Sequence, residues 1–397
     1  MTVLTYPSRE SAAIFAGLEQ WRAAASDLRR SIHAFPETAY EEHRTAALIA
    51  ETLAAYGLEV HRGIGRTGVV GVLSQGASAR AVGLRADMDA LNIAERGDLP
   101  YRSTVPGKMH ACGHDGHTAM LLLAARSLSA RRSFDGSIVF IFQPAEEGGA
   151  GARAMIHDGL FARFPVDAVY AMHNIPGLPA GHFAVMPGPM MAAGDYFEVE
   201  LAAPGGHAAL PHTTPDPILA GSALVQALQS LVSRSLDPLD PAVVSVTHFQ
   251  SGEATNAIPT TARLRGTARS YTPAVQQAIE DGLRRFVAGT AASYGVEARV
   301  VYRRGYPATV NSAREAVFAR DVLTALVGAA QVRTDLRPLM TAEDFAFMLQ
   351  ERPGAYLWIG NGDSAGLHTP TYDFNDDILA TGAAAWVALA EAALAQA

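Results

Sequence analysis

Three histidines and the only cysteine of the chain fall within eight consecutive residues. The stretch reads HACGHDGH and contains His110, Cys112, His114, Asp115 and His117. Thiolate, imidazole and carboxylate are the ligands that zinc and neighbouring divalent metals select in proteins. A single histidine is more often a helix cap or a surface residue, but several potential ligands around one cysteine favour a metal site.

Polar candidates of the same kind follow several predicted strands. They lie directly after a strand or in the loop that follows it: Asp87, Asp89, Glu146, Glu147, His173 and His368. In open α/β sheets, sites form outside the carboxyl ends of the strands, so segments remote in sequence meet in one crevice. We therefore expect these side chains to converge with the HACGHDGH stretch.

Two adjacent glutamates suggest a division of labour. One of Glu146 and Glu147 can ligate a metal while the other, free of metal, accepts a proton from water. Such pairs are common on solvated surfaces, but this one follows an apolar strand. It also precedes Gly148, Gly149 and Gly151, which allow a close approach of the backbone. We therefore favour a catalytic interpretation of the pair.

A second group of candidates lies further along the chain. A Gly-Gly-His sequence ending at His207 follows a predicted strand, and a positioned histidine can donate a hydrogen bond to a tetrahedral oxyanion. The strand RLRGTARS carries Arg263, Arg265 and Arg269. Because a guanidinium binds a planar carboxylate through two hydrogen bonds, one of these arginines is a candidate for a substrate carboxylate. The others are expected to point outward from the strand.

The elements that must position these residues alternate between strands and helices. Strands are expected at 69–73, 81–84, 137–142, 167–172 and 355–359, and helices at 11–34, 40–56, 118–130, 150–158, 316–329 and 377–395. Continuous apolar strands separated by helices indicate a mostly parallel sheet with helices around it. We assign residues 1–186 and 305–397 to this catalytic α/β domain. A further helix is expected to begin at Thr341, because Thr341 and Asp344 resemble a capping box.

The pattern changes between residues 187 and 304. There the expected order is strand, helix, strand, strand, helix, strand, which is the ferredoxin-like βαββαβ signature. The helix expected at 272–294 keeps one apolar face at helical spacing. We predict that residues 187–304 form a second domain inserted into the first.

Composition and charge exclude several classes of protein. Of the 397 residues, 49% are hydrophobic and 18% are charged, which is too apolar for a disordered chain. The net charge of −8 and the lack of a basic run argue against nucleic acid or an anionic membrane as a partner. No apolar run reaches the ~18 residues of a membrane span, and the N-terminus lacks a leader pattern. One cysteine allows no intrachain disulfide, so we expect a soluble, cytoplasmic protein.

A glycine motif near the N-terminus is similar to a nucleotide-binding fingerprint. Gly63, Gly65 and Gly68 satisfy GxGxxG. That fingerprint requires a strand before it and a helix after it, whereas here a predicted strand follows. We interpret these glycines as a turn.

Nine segments of the chain resemble motifs of the zinc aminoacylase and glutamate carboxypeptidase family of metallopeptidases. They are RRSIHAFPETAYEE, LRADMDAL, MHACGHDGHTAMLL, FQPAEEGGAGA, AMHN, GGHAALPH, NAIPT, TAEDFAFM and GLHTPTYDFND. The resemblance is greatest to the amidohydrolase branch, which includes hippurate hydrolases, N-acetyl-amino-acid and N-acetyldiaminopimelate deacetylases, and auxin-conjugate hydrolases. Each motif alone is weak, but nine in the family's order are specific.

The resemblance implies a metal centre. The metal ligands of the family fall on Cys112, His114, Glu147, His173 and His368. Its general base falls on Glu146, and Asp89 matches the aspartate that orients a metal-bound histidine. Where the wider family has His-x-Asp, this chain has Asp at position 87, so Cys112 and His114 would compensate, as in the amidohydrolase branch. Two divalent ions per subunit are implied; Zn²⁺ best suits thiolate with imidazole, and Mn²⁺, Ni²⁺ or Co²⁺ are alternatives.

The inserted unit corresponds to the lid and dimerisation domain of the family. His207 matches the lid histidine, which in relatives often completes the site of the partner subunit. Arg269 matches the arginine that binds the substrate carboxylate, and Asn256 a neighbouring substrate contact. The resemblance therefore implies a homodimer, or a tetramer, formed through the lid.

The activity implied by the resemblance is metal-dependent hydrolysis of the amide bond in small N-acyl amino acids. Acetyl, benzoyl and indole-acetyl groups are all candidates for the acyl part. One alternative is a small-peptide carboxypeptidase or dipeptidase of the same family. A second is a metal-independent hydrolase with Cys112 as its nucleophile. A third is a binding protein on a hydrolase scaffold that has lost catalysis, against which the presence of both Glu146 and Glu147 speaks.

Overall fold

A computed structural model describes residues 8–395 of the chain. Residues 1–7, which belong to the N-terminal stretch without a leader pattern, and residues 396–397 lie outside the described part. The chain divides into two units. The first unit contains the residues up to Met190, Val310–Arg337 and the residues from Asp344 onward. The second unit contains Met191–Thr309 and Pro338–Glu343.

Helices and strands alternate along the chain. Its first part contains α1 (Arg9–Glu19), α2 (Arg22–His33), α3 (His43–Ala55), β1 (Glu59–Ile64), β2 (Gly68–Gln75), β3 (Ala81–Asp87), α4 (His114–Arg131), β4 (Gly136–Gln143), the short turn α5 (Glu146–Gly149), α6 (Gly151–His157), α7 (Leu160–Arg163), β5 (Ala168–Pro176), β6 (Phe183–Ala184) and β7 (Gly188–Met191). The middle part contains β8 (Ala193–Ala202), β9 (Gly206–His207), α8 (Pro217–Ser235), β10 (Ala242–Ser251), β11 (Ala257–Ile258), β12 (Thr261–Ser270), α9 (Pro273–Tyr294) and β13 (Glu297–Tyr306). The last part contains β14 (Thr309–Asn311), α10 (Ala313–Val327), β15 (Val332–Arg333), α11 (Ala346–Glu351), β16 (Gly354–Gly362) and α12 (Leu379–Ala393).

The first unit is built around an eight-stranded sheet with the order β1-β2-β4-β3-β5-β16-β6-β15. The four adjacent strands β4, β3, β5 and β16 run parallel, whereas β1 and β2 add an antiparallel edge. This arrangement confirms the predicted α/β class with a mostly parallel sheet. Because β3 and β4 end together, with Asp87 beside Gln143, the loops that follow them begin at the same edge of the sheet.

Two helices of the first unit are buried on nearly every side. Most residues of α4 are buried, and α12 buries Trp386 among its alanines and leucines. A helix without a polar face is typical of the middle of a layered domain, where other elements cover it on all sides. The start of α4 is therefore rigidly held, and this is where the histidine-rich stretch lies.

The second unit is a four-stranded antiparallel sheet with the order β10-β12-β8-β13. Helices α8 and α9 contribute Leu224, Leu228 and Leu283 to a core shared with Val199 and Leu264 of the sheet. Along the chain the order is β8-α8-β10-β12-α9-β13, which has the βαββαβ pattern expected from the sequence.

Three local expectations were wrong. The helix expected at 11–34 is two helices, α1 and α2, separated at residues 20–21. Thr341 and Asp344 do not form the expected capping box, because α11 begins only at Ala346 and the Asp344 side chain accepts a hydrogen bond from Gln143. Residues 338–343, which we placed in the catalytic domain, belong to the second unit, where the Ala192 amide donates to the carbonyls of Leu339 and Thr341.

Two further expectations concern glycines and membranes. Gly65 lies in the turn between the antiparallel strands β1 and β2, so the GxGxxG sequence is a hairpin and not a nucleotide loop. Across residues 8–395, no helix combines the length and apolar character required to cross a membrane.

A buried ionic network ties α2 to the start of α4. His33 of α2 is fully buried, with Nδ1 2.9 Å from Asp115 and Nε2 3.4 Å from Glu95. Arg29, one turn earlier, lies 3.4 Å from the same Asp115 carboxylate and 2.7 Å from Asp376. Burial alone would lower the pKa of His33, but the hydrogen bonds to Asp115 and Glu95 outweigh it and raise this pKa to about 9.

This raised pKa gives a prediction for stability against pH. The folded pKa of His33 lies above the ordinary value of 6.5, so its stabilising charge is fully present below pH 6.5 and is lost as the pH rises through about 9. We expect the wild type to exceed His33→Gln in free energy of unfolding by an amount that shrinks between pH 6 and pH 10. The change should be on the order of 2–3 kcal/mol. Urea unfolding of both proteins at each pH measures it; a difference independent of pH would contradict the assignment.

Candidate metal centre

Three potential ligands from distant parts of the chain meet beside the carboxyl edge of the sheet. The Cys112 Sγ atom lies 3.3 Å from His368 Nε2, and His368 Nε2 lies 3.0 Å from a carboxylate oxygen of Glu147. These three side chains form a group whose ligand atoms all lie within 4.8 Å of one another. A fourth candidate, His173, places Nε2 3.4 Å from the same sulfur.

A second group shares Glu147 with the first. The ligand atoms of His114, Glu146 and Glu147 also lie within 4.8 Å of one another. Asp89 holds His114 through Nδ1 at 3.2 Å, and the other ring nitrogen, Nε2, lies 3.8 Å from a carboxylate oxygen of Asp87. That Nε2 atom is buried and has no hydrogen-bond partner within residues 8–395, as expected of an atom that ligates an ion.

Unusual backbone conformations present these ligands. His368 has a positive φ of 61°, in the left-handed region that a non-glycine residue adopts at a cost of about 1 kcal/mol. Its amide donates to the Ala111 carbonyl at 2.8 Å, which fixes the His368 loop next to Cys112. Ala145 and Ala150, on either side of the glutamate pair, also have positive φ. Such strain persists only where the surrounding structure enforces it, and it clusters at functional sites.

The electrostatics of the site call for a cation. Burial and the nearby carboxylates of Glu147 and Glu146 raise the pKa of the Cys112 thiol well above its usual value. Burial alone would lower the pKa of His114, but Asp87, Asp89 and Glu147 outweigh it and raise this pKa to about 10. Carboxylates thus raise the pKa of both His114 and Cys112, which shows that negative charge exceeds positive charge around these side chains.

A divalent metal ion would supply the positive charge that these side chains call for. It would stabilise the Cys112 thiolate and take the place of the proton on His114. Burial and the neighbouring rings of His117 and His114 lower the pKa of His173, so this imidazole is neutral and able to ligate. Thiolate, imidazole and carboxylate donors with a buried unpartnered nitrogen therefore fit a divalent metal ion.

Two histidines of the HACGHDGH stretch lie outside these two groups, although His117 forms a separate group with Asp87, His114 and His173 whose ligand atoms lie within 4.8 Å of one another. His117 donates from Nδ1 to Asp87 at 2.6 Å and accepts at Nε2 from the Asn174 amide at 2.9 Å, so both of its nitrogens are used. His110 is buried beside the His33 ring, with a centroid distance of 6.2 Å, and belongs to none of the possible metal groups. Only His114 of the three histidines faces the glutamate pair.

Three of the candidates, His207, Asn256 and Arg269, lie in the second unit. His207 in β9 pairs with Ala257 of β11, and the Ala208 amide donates to the Asn256 carbonyl at 3.0 Å, so these two segments lie side by side. His207 is exposed, and its Nδ1 accepts a hydrogen bond from the Ala209 amide at 3.1 Å. Arg269 is half-buried and donates to Thr267 and to the Ala268 carbonyl.

Sequence analysis missed the group that holds Glu146. The Asp344 amide donates to a Glu146 carboxylate oxygen at 3.3 Å. The Asp344 side chain in turn accepts hydrogen bonds from Gln143 at 2.7 Å, Arg85 at 3.2 Å and the Ala152 amide at 2.9 Å. The TAEDFAFM motif was the available signal, but a Thr-x-x-Asp sequence matches a capping box equally well. Local spacing could not show that this aspartate reaches a distant loop.

Known proteins resemble this chain over most of its length. The sequence pattern of peptidase family M20/M25/M40 matches residues 83–392. Hippurate hydrolase of Campylobacter jejuni is 42% identical over 363 residues, which cover 91% of this chain and 94% of that protein. Thermostable carboxypeptidase 1 of Saccharolobus solfataricus is 37% identical over 383 residues, which cover 94% and 95%.

A solved structure is similar as well. The crystal structure of the Bacillus subtilis YXEP protein, described as a dinuclear metal-binding peptidase of the M20 family, matches with a TM-score of 0.84 and 32% identity. The match covers 95% of this chain and 99% of that one.

Metal binding should be visible as thermal stabilisation. A ligand that binds only the folded state at a hundred times its dissociation constant adds about 2.7 kcal/mol. We therefore expect Zn²⁺ to raise the Tm of chelator-treated wild type by several degrees, and Cys112→Ser and His368→Ala to lose most of this rise. His212→Ala, which removes an exposed histidine, is the matched control and should behave as wild type. Equal shifts in all four proteins would show that zinc binds elsewhere.

Proposed function

Because the chain belongs to peptidase family M20/M25/M40, we propose that it is a metal-dependent amidohydrolase that cleaves small N-acyl amino acids. The products are a carboxylic acid and a free amino acid. The observation that carries this proposal is the convergence of Cys112, Glu147 and His368 beside Glu146, at the edge of the sheet where sites form in open α/β folds.

The metal-holding residues are assigned as Cys112, His114, Glu147, His173 and His368. A divalent metal lowers the pKa of water and polarises a carbonyl oxygen. The presence of Glu147 in both ligand groups supports two ions per subunit, as does the dinuclear description of a structural relative. Thiolate and imidazole together favour Zn²⁺, with Mn²⁺, Ni²⁺ or Co²⁺ as alternatives.

Glu146 is assigned as the general base. It accepts the proton of the attacking water and delivers it to the nitrogen of the leaving amino acid. Two features support this role: Glu146 is buried next to the ligand Glu147, and the amide of Asp344 orients its carboxylate. Asp89 is a positioning residue, since it fixes the ring of His114.

The second unit supplies the proposed substrate contacts. Nδ1 of His207 accepts a hydrogen bond, so in the neutral ring Nε2 carries the proton and is the donor that an oxyanion requires. Arg269 has no carboxylate within salt-bridge distance in the described part of the chain, which leaves its guanidinium available to the free carboxylate of the substrate. Asn256, whose carbonyl accepts from the Ala208 amide beside His207, is assigned as a neighbouring contact.

Two enzymatic alternatives are less well supported. A carboxypeptidase would use the same metal centre, and one relative carries that name, so the choice of acyl group or peptide depends on substrate assays. A hydrolase with Cys112 as nucleophile needs a lowered thiol pKa, whereas burial and the carboxylates of Glu147 and Glu146 raise it. Such an enzyme would also keep its activity after chelation.

The proposed location is the cytoplasm. A thiolate ligand must stay reduced, and a reducing compartment maintains that state. Cys112 is free and buried among other ligands, which is consistent with this requirement.

We further propose a homodimer, or a tetramer, formed through the second unit. Strand β10 is at the edge of its sheet, with unpaired backbone groups that invite association. The ring of Phe249, in this strand, approaches Gly221 of α8 and is 40% exposed. Leu219 in the first turn of α8 is 56% exposed. Exposed apolar side chains beside an open strand edge are typical of a protein interface.

The general-base assignment predicts the behaviour of Glu146→Gln. Without a carboxylate to accept the proton, kcat on N-acetyl or N-benzoyl amino acids should fall by about 10²–10⁴-fold. Metal content, measured by elemental analysis, should stay at the wild-type level. Glu51→Gln on the exposed face of α3 is the control and should keep full activity. An active Glu146→Gln enzyme would refute the assignment, and an inactive wild type on the whole panel of N-acyl amino acids would refute the proposed reaction.

The interface assignment predicts the behaviour of Leu219→Asp. A carboxylate in the first turn of α8 suits the helix dipole, so folding should be preserved while an apolar interface is disrupted. Light scattering should show a dimer or tetramer for wild type and a smaller species for Leu219→Asp. Leu239→Asp, at an 88% exposed loop position, should assemble as wild type does. A monomeric wild type with full activity would contradict both the interface and a contribution of His207 to a partner's site.

A further inference from the structure

One buried asparagine contacts the segments of two proposed ligands. Asn174 follows His173 in β5 and is fully buried. Its side-chain Nδ2 donates to the Cys112 carbonyl at 2.7 Å, and its own carbonyl accepts from Nδ1 of His173 at 2.6 Å. The second contact leaves Nε2 of His173 as the ring atom that faces the Cys112 sulfur.

The orientation of the Asn174 amide is fixed by its other partners. Tyr372 donates its hydroxyl to Oδ1 at 2.6 Å. On the opposite side, Nδ2 also lies 3.0 Å from Nε2 of His117, which accepts from the Asn174 backbone amide as well. The reverse orientation would place Oδ1 against the Cys112 carbonyl and the His117 acceptor nitrogen, so it is excluded by repulsion.

The partners of Asn174 are themselves held. Nδ1 of His117 donates to Asp87 at 2.6 Å, and Asp87 is bound on its other oxygen by Arg85 at 2.7 Å. Gly113 has a φ of +89°, and a Cβ atom there would overlap Nδ2 of Asn174 and approach the Tyr372 hydroxyl to 2.6 Å. The chain next to Cys112 thus has room for the Asn174 side chain only because residue 113 is glycine.

We propose that Asn174 is the positioning residue that couples the Cys112 ligand to the His173 ligand and so sets the metal affinity of the site. The inference rests on the proposed metal-dependent function. The asparagine holds the Cys112 backbone from one side and aims the His173 ring from the other, while Tyr372 and His117 prevent it from rotating. Loss of its side chain frees the Cys112 segment, although the backbone contact to His173 remains. Groups of this kind change metal affinity by about 10–100-fold when removed.

Asn311 offers a matched control in the same unit. It is 3% exposed, and its Nδ2 donates to the carbonyls of Met186 and Tyr356, both at 2.9 Å. Its Oδ1 accepts from the Tyr356 amide at 2.7 Å. Asn311 is thus as buried and as fully hydrogen-bonded as Asn174, but it contacts none of the proposed ligands.

The test compares Asn174→Leu, which keeps the side-chain volume and removes every side-chain hydrogen bond, with Asn311→Leu. Chelator competition gives the dissociation constant for Zn²⁺, and the Co²⁺-substituted protein gives the thiolate-to-metal charge-transfer band. We expect Asn174→Leu to raise the dissociation constant by about 10–100-fold and to alter the band. Asn311→Leu should bind metal within about twofold of wild type, whatever its effect on the Tm.

Tyr372→Phe is a milder variant, which tests the proposal if Asn174→Leu does not fold. Tyr372→Phe removes only the hydroxyl that fixes Oδ1, so it should weaken Zn²⁺ binding less than Asn174→Leu but measurably. Unchanged metal affinity and an unchanged Co²⁺ band in Asn174→Leu would overturn the proposal, as would unchanged affinity in Tyr372→Phe where Asn174→Leu is unfolded. If the wild type binds no divalent metal, the proposed function itself fails. If the wild type binds divalent metal and the variants bind it with equal affinity, only the proposed role of Asn174 is refuted.

Discussion

Negative charge buried at the carboxyl edge of the sheet is the constraint on which the rest of the first unit depends. Glu146 and Glu147 lie together there, Glu147 beside the buried Cys112 thiol; Asp89 accepts a hydrogen bond from the Glu147 amide, and Asp87 lies 3.8 Å from His114. Isolated carboxylates cannot be buried without partners, because the cost of desolvation is several kcal/mol for each. The fold supplies positive charge at the periphery, where Arg85 binds both Asp87 and Asp344. At the centre, the donor set of Cys112 and Glu147 fits a divalent metal ion as the partner.

This constraint explains why so many polar contacts surround the site. Three of the five proposed ligands illustrate this: Asp89 holds His114, the Asn174 carbonyl holds His173, and the Ala111 carbonyl holds the backbone of His368. Ala145 and His368 adopt a strained left-handed backbone conformation, and this strain accompanies the placement of loop side chains at the site. Because these loops are far apart in sequence, ion binding would add a further link between segments that single hydrogen bonds already join.

The sequence identified the candidate ligands more readily than the residues that hold them. Residue types that can ligate a metal or accept a proton are recognisable in a sequence, so Cys112 and the glutamate pair were candidates before the structure was considered. The α/β class was also predictable, because strands buried in a parallel sheet have continuous apolar sequences. By contrast, Asn174 and Asp344 act through contacts across 62 and 198 residues of chain, to Cys112 and Glu146. Local spacing holds no information on such contacts, and at Asp344 it favoured a helix cap instead.

The residues proposed to bind the metal and those proposed to contact the substrate lie in different units. All proposed metal ligands lie in the first unit, where burial and interlocked hydrogen bonds leave little freedom for substitution. The proposed contacts to substrate, His207, Asn256 and Arg269, lie in the second unit, where His207 and Asn256 are exposed and none of the three belongs to a buried ionic network. A substitution among these residues changes few buried interactions and therefore costs little stability. The proposed substrate contacts can thus change within such a chain while the proposed metal ligands are kept, because the two sets of residues lie in different units.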